Sequence, residues 1–238
     1  IAYPVDMTVD PLPDLGGMEL DQDFWWAVGL WWGDGHLHAT RQGTWTVADS
    51  EPHIWDRLIG FLRRQGFEGD GSQRPGCRQV TWSSATLFAF LSQFYLGDGR
   101  GKGARPKVPP VAVQNLAERM TEQVVQGYWD ADGSTDERGG TQWASSSLDG
   151  LLVLRRMLAR IGRVGSIRLA RRETTVALVA GHTATVRPSF TLRESPNPQG
   201  IGVQDGVIYS RVRLVEWAGE REFVPVTTED HTYVTHFG

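Results

Sequence analysis

The chain has 238 residues, 40% hydrophobic and 22% charged, with a formal net charge of −4 and a single cysteine. These values fit a soluble globular protein of one large or two small units. Cys77, being alone, excludes an internal disulfide and a multi-cysteine zinc site and reads as a structural residue. The most apolar run, Phe24 to Trp32, falls short of the ~20 residues that span a bilayer and lacks the basic leader of a signal peptide. No membrane partner and an intracellular, cytoplasmic location are therefore expected. The charge is unevenly spread. Residues 1–23 hold six acids and no Lys or Arg, and residues 216–238 hold five acids and one Arg, which leaves 17 acids against 23 bases in residues 24–215. A basic body with acidic ends can still bind a phosphate-rich partner, because the local field governs approach.

In chain order, residues 1–17 read as an acidic N-terminal extension. Asp23 to Leu37 (DFWWAVGLWWGDGHL) reads as a helix, with Asp23 able to cap its start and Gly35 suited to a left-handed position at its end. His36 to Ser50 reads as a hairpin with Gln42-Gly43 at the turn. Arg57 to Gly66 has helical apolar spacing and a terminal Gly. Two strands follow within Gly71 to Ser83, then a third helix from Ser84 to Phe94. Residues 97–110 are rich in Gly, Pro and basic residues and read as a linker. The pattern then returns: a helix in Thr121 to Thr135 (TEQVVQGYWDADGST), a hairpin in Ser134 to Ser147 with Gly139-Gly140 at its turn, a helix in Val153 to Gly162, and strands in Ile167 to Arg193. Residues 203–216 add an edge strand or tail, and residues 217–238 a C-terminal tail. The halves are thus 18–96 and 111–216, each read as helix–hairpin–helix–hairpin–helix.

The return is an internal repeat. At an offset of 98, Gly29 falls on Gly127, Trp31 on Trp129, Asp34 on Asp132 and Gly35 on Gly133. Small residues among bulky ones, Gly29 and Gly33 against Gly127 and Ala131, let two helix backbones approach closely. If the two helices pack together, Asp34 and Asp132 end side by side. Two carboxylates there repel and are poorly solvated, so they call for a cation. Oxygen donors at this density suit Mg²⁺, with water and phosphate oxygens completing the shell.

AVGLWWGDG (Ala27 to Gly35) and VQGYWDADG (Val125 to Gly133) resemble the two namesake motifs of LAGLIDADG homing endonucleases. PKVPP (Pro106 to Pro110) resembles the block before the second motif in intein-borne members, and the likeness covers residues 24–215. It implies an α+β fold: a monomer of two pseudo-symmetric αββαββα halves whose strands form a saddle on double-stranded DNA at a long, specific target site. The implied activity is site-specific double-strand cutting with Mg²⁺, Mn²⁺ able to substitute and Ca²⁺ able to bind without supporting cleavage. Asp34 and Asp132 are the implied catalytic and metal-binding acids, with Gly33 and Ala131 beside them at the metal. Lys107 maps to a family lysine that positions or polarises water; loop solvation or a phosphate contact is its other reading. Its second-half partner is open, with Arg211 and Arg213 as candidates. The tail REFVPVTTEDHTYVTHFG (Arg221 to Gly238) resembles the intein block before the C-terminal splice junction. The start at Ile1 and the lack of a terminal His-Asn lead us to expect no splicing, and hence an intein-encoded or intein-derived endonuclease of a prokaryotic or phage-type host. A reading from another class is a non-cleaving DNA- or RNA-binding protein, a maturase or regulator, on the same scaffold; that reading predicts loss of one or both motif acids.

Strand alternation assigns the DNA-facing side chains. With Val47 and Trp143 inward, Thr46 and Gln142 face outward. With Val80 and Trp82 inward, Gln79 and Thr81 face outward, with Arg78 near the strand end. His36 and His38 share a face and serve either a metal or, the favoured reading, DNA. Arg41, Arg74, Arg138, Arg168, Arg171 and Arg172 in the hairpins, and Lys102 and Arg105 in the linker, are candidates for phosphate or guanine. The acidic extension is expected to lie off the DNA face, and residues 1–16 to be dispensable for cutting.

Overall fold

The computed structural model describes residues 2–67, 71–95, 107–137, 139–171, 175–179, 182–186, 188–194, 201–204 and 207–210. Its elements begin with β1 (Ala2–Pro4) and α1 (Gln22–Asp34), followed by β2 (Gly35–Leu37), β3 (Gln42–Ala48), α2 (Pro52–Arg64), β4 (Ser72–Arg74), β5 (Cys77–Ser83) and α3 (Ala85–Ser92). The second half has α4 (Val111–Gln114), α5 (Glu118–Asp132), β6 (Gly133–Thr135), β7 (Thr141–Ser145), α6 (Leu148–Arg160) and β8 (Gly165–Arg171). It ends with β9 (Thr175–Val179), β10 (His182–Val186), β11 (Ser189–Glu194), β12 (Ile201–Gln204) and β13 (Val207–Ser210). No helix among the described residues is long and apolar enough to cross a membrane.

The core is organised around α1 and α5. Every residue of α1 from Phe24 to Trp32 is buried, as a helix apolar on all sides must be. Glycines set how closely the two helices approach. A Cβ on Gly29 would stand 2.0 Å from the Val124 carbonyl oxygen, and one on Gly127 would stand 1.9 Å from that of Trp26. Trp26 and Val124 are also 98 positions apart, so these are one contact seen from the two sides of a pseudo-two-fold axis. Further along, a Cβ on Gly33 would meet the Cβ of Ala131 at 2.3 Å. The axis passes between these two repeat-equivalent positions, and there is room there for one methyl, not two. Trp32 and Tyr128 stack with ring centroids 4.0 Å apart, and the Trp26 indole donates to Asp130 at 2.7 Å.

Each half wraps a four-stranded antiparallel sheet beside its motif helix, in the order β2-β3-β5-β4 in the first and β6-β7-β11-β8 in the second. β9 and β10 form a hairpin of their own between β8 and β11. The second half therefore departs from the expected plan. Where α3 closes the first half, no helix follows β11 among the described residues; β12 and β13 instead build a three-stranded sheet with β1.

Local signals differ in three places. Asp21, not Asp23, caps α1, accepting from the Phe24 amide at 2.8 Å. Asp23 is taken by Arg57 at 2.8 Å and by Arg64. In the second half α5 starts three residues before Thr121, whose buried hydroxyl donates to the Leu116 carbonyl. Gly35 and Gly133 are extended, with φ −82 and −78, not left-handed. They are glycines for lack of space: a Cβ would lie 2.1 and 2.3 Å from the Cδ1 atoms of Trp31 and Trp129, which fold over them. Gln42-Gly43 belong to β3, and the first hairpin turns at residues 38–41 with Arg41 at φ 62. Gly66, Gly139 and Gly162 do adopt the expected left-handed backbone.

The acidic extension is a strap rather than a loose tail. Leu15 is buried in the core. Asp10 donates its amide to the Asn115 carbonyl and accepts from the Asn115 amide side chain. Buried Arg160 donates to the carbonyls of Asp6 and, at 3.0 Å, Leu116. The strap meets α5 at its N-terminal end, whereas Asp132 lies at the other. Its removal would strip a partner from a buried guanidinium. Deleting residues 1–16 should lower Tm by about 5–10 °C, the shift expected for 2–3 kcal/mol in a domain of this size; unchanged melting would refute the strap. Gly29→Ala and Gly127→Ala should each cost about 2–3 kcal/mol or more by overpacking against backbone, read in urea melts. A pair of variants as stable as wild type would contradict the seam.

Candidate active site and nucleic-acid interface

Asp34 and Asp132 are the last residues of α1 and α5. The seam brings their ends together, so that the Asp132 Oδ2 lies 3.3 Å from where a Cβ on Gly33 would stand. Both carboxyls are pushed up. Burial raises Asp34 to about 7, with Asp132 adding repulsion and Lys107 opposing. Burial also raises Asp132, again opposed by Lys107. A helix C-terminus is itself a poor place for a negative charge, since its carbonyls carry the negative end of the macrodipole.

Lys107 answers that need. It is held by a backbone bridge to Tyr95. Its ammonium donates to three carbonyls at the end of α1, those of Trp31 at 2.7 Å, Gly33 at 2.8 Å and Gly35 at 2.8 Å. Its own carbonyl accepts from the Trp32 indole at 3.1 Å. Burial lowers Lys107 to about 7, against the pull of Asp132 and Asp34. Burial followed by Asp132 raises Tyr128, the neighbour on α5, so it stays a neutral phenol.

Among the described residues no group of three or more His, Cys, Asp and Glu side chains could hold a metal. The donors on offer are two carboxylates and backbone carbonyls, those of Gly33 and Ala131 being adjacent to the acids. This all-oxygen, incomplete set fits a hard cation such as Mg²⁺ that keeps waters and takes phosphate oxygens.

The outward face of the first sheet is a polar grid. His36 sits opposite Thr44, and Thr44 opposite Thr81. The Thr44 hydroxyl is 2.7 Å from the His38 Nε2 and 3.3 Å from the Thr81 hydroxyl. Gln79 donates to Thr46 at 3.0 Å, and Ser72 and Arg74 continue the face beyond Gln79 and Cys77. The rings of His36 and His38 are 4.8 Å apart on that face. Burial, then His38 and Lys107, lower the His36 pKa. Arg41 lies exposed at the hairpin turn. Arg78 does not join the grid. It alternates with Gln79 onto the helix side, 5.8 Å from the Trp55 ring and 3.8 Å from Asp49.

On the second sheet Ser134, Gln142, Arg193 and Ser166 form one cross-strand row, and Ala144, Thr191 and Arg168 the next. Arg193 went unassigned in the sequence, yet its guanidinium stands in this row, paired with Asp136. The signal was available: Leu192 is core, so alternation turns Arg193 outward. Arg171 lies in β8 opposite Ser189. Lys102, Arg105, Arg138, Arg172, Arg211 and Arg213 lie outside the described residues.

Two pseudo-symmetric helix ends carrying an acid each, between two antiparallel sheets, define the LAGLIDADG class of fold. Residues 120–183 match the model of the LAGLIDADG-like domain. Among solved structures, the chain shares its fold with I-DmoI in complex with DNA and Ca, at TM-score 0.51 and 14% identity over 74% of this chain and 83% of that one. It is similarly close to mesophilic variants of the homing endonuclease I-DmoI, at TM-score 0.50 and 14% identity over 74% and 89%. Among curated proteins it is 27% identical over 165 residues to the replication factor C small subunit of Methanocaldococcus jannaschii, covering 64% of this chain but only 9% of that protein's length.

The raised carboxyl gives a signed pH test. Asp34 binds a proton in the folded state that the unfolded state has released between the usual carboxylate range and pH 7, so its contribution to stability is lost as pH rises through about 7. In metal-free buffer Asp34→Asn should therefore gain on wild type as pH rises from 5 to 8, by less than the full shift would give because the carboxyl is partly open to solvent screening. A constant difference across that range would remove the case for a partly desolvated, repelled carboxyl.

Proposed function

We propose that this chain is a site-specific double-strand DNA endonuclease that hydrolyses phosphodiesters with divalent metal ions. The observation that carries the reading is the pairing of Asp34 and Asp132 at the ends of α1 and α5, between two outward polar sheet faces. Bound divalent cations would lower the pKa of the attacking water and stabilise the leaving 3′ oxygen. The chain supplies the rest. Asp34 and Asp132 hold the positive charge, each motif serving one strand of the duplex. The Gly33 and Ala131 carbonyls fall next to them. The first-sheet hydroxyls, amide and imidazoles, Thr46, Gln79, Thr81, His36 and His38, serve to read bases, with Gln142, Arg168 and Arg193 on the second sheet. Arg41 and Arg74 are at positions suited to phosphate. Mg²⁺ is the expected ion, with Mn²⁺ substituting and Ca²⁺ binding without supporting cleavage. The protein acts as a monomer on a long, specific site inside the cell, and the motifs of its tail favour descent from an intein. Retention of both acids favours cleavage over a DNA- or RNA-binding role without it.

Asp34→Asn and Asp132→Asn should each abolish double-strand cutting of a plasmid library carrying candidate sites, with Mg²⁺ present, while DNA binding in a gel-shift assay persists. Normal cutting of both strands by either variant would overturn the assignment. Arg193→Ala should weaken specific binding by about 1–3 kcal/mol, as loss of a guanine contact does, and relax preference at one position of the site. A uniform weakening across sequences would make Arg193 a phosphate contact instead.

A further inference from the structure

The family resemblance makes the lysine near the acids a residue that positions or polarises water. The geometry of Lys107 points elsewhere. An ammonium has three hydrogens, and here all three are engaged, by the carbonyls of Trp31, Gly33 and Gly35 at 2.7–2.8 Å. The group also lies 4.8 Å from the face of the Trp31 ring. With its three hydrogens bonded in this way, the ammonium has none left to donate to a water. The carbonyls belong to the last turn of α1 and the residue after it, where intrahelical donors run out.

One of the three, Gly33, immediately precedes Asp34 and is one of the two carbonyls available to a cation there. The second motif shows no such arrangement among the described residues. Among the described residues no side chain donates to the carbonyls of Trp129, Ala131 or Gly133. Among the described residues, the two ends of a pair of helices that meet alike at Gly29 and Gly127 thus differ in the charge beside them.

We propose that Lys107 is a positioning residue whose ammonium acts as a tethered cation for the metal-free site, and that a divalent ion entering beside Asp34 displaces it from the Gly33 carbonyl. The first-motif end of the site is then preformed before metal arrives. This rests on the metal-binding reading given above, but one part of it does not need metal. Burial disfavours the ammonium's charge, and Asp132 and Asp34 oppose that by favouring it, so its worth to the fold must depend on those acids.

Two measurements test this. In metal-free buffer, thermal melts of wild type, Lys107→Met, the Asp34→Asn/Asp132→Asn double variant and the combination form a cycle. Lys107→Met should lower Tm, and most of that loss should vanish when both acids are already gone. Equal losses in both backgrounds would overturn the tethered-cation role whatever the metal does. Second, calorimetric titration with Ca²⁺ should show on the order of tenfold tighter binding in Lys107→Met, since one competing unit charge is gone from a partly screened site. Lys107→Gln, which keeps hydrogen-bond donors but no charge, should tighten as well and covers the case in which the methionine variant does not fold. Lys107→Arg, which keeps the charge, should stay near wild type. Unchanged or weaker Ca²⁺ binding in both neutral variants would overturn displacement. If wild type and the double acid variant respond to Ca²⁺ alike, the metal-binding reading itself fails, and the melting cycle still decides whether Lys107 is a tethered cation.

Discussion

The contact of backbone with backbone at Gly29 and Gly127 is the constraint on which the rest depends. Two helices at ordinary separation keep side chains between them. Here the carbonyls of Trp26 and Val124 occupy the space where side chains would begin. Closeness at that crossing carries through to the C-terminal ends, where Gly33 faces Ala131 and the acids that follow are thrown together. Trp26 and Trp32 lie beside the crossing against α5, and other bulky residues of α1 point away from it. Phe24, Trp25 and Trp31 make edge-on contacts with Phe61, Phe90, Phe94 and Tyr95, and the Trp45 indole donates to the Ala27 carbonyl at 3.0 Å. Each sheet is thereby fixed to its helix, and each helix to the other.

The site inherits an electrostatic problem from this packing. Helix C-termini, burial and mutual repulsion all disfavour charge on Asp34 and Asp132. Among the described residues the compensation is the Lys107 ammonium, bonded to the end of α1. Such a site is unstable as an empty pair of anions and stable with added positive charge.

Much of this was legible in the sequence because the repeat is strict where backbone meets backbone. The offset of 98 that aligned the motifs is the offset that relates Trp26 to Val124 across the seam, and period-two alternation placed Thr46, Gln79, Thr81 and Gln142 on the outward faces. What was not legible depended on partners distant in sequence. Asp21 and Asp23 are equally good caps by type, but Arg57 and Arg64 of α2 claim Asp23 and leave the cap to Asp21. Gly35 and Gly133 resemble left-handed helix ends, yet an indole four residues earlier is what excludes a Cβ. Arg78 looked like a DNA contact until its alternation with Gln79 put it beside Trp55. The acidic extension looked separable because its anchors, Asn115, Leu116 and Arg160, lie more than a hundred residues away, and the second half gave no sign that β1 would pair with β13.

The seam also has a consequence in time. The nine consecutive residues from Phe24 to Trp32, four of them tryptophan, are covered in part by a helix that lies about a hundred positions later in the chain. At ribosomal rates of 5–20 residues per second, α1 is synthesised roughly 5–20 s before α5 can close over it. During that interval its stickiest surface must be shielded by α2, α3 and the first sheet alone, or by a chaperone. Slowing translation between residues 35 and 118 would lengthen the exposure and favour aggregation over folding. The acids are therefore brought together at the same late moment that the hazard ends, so a nascent or truncated chain carries the first motif without its partner.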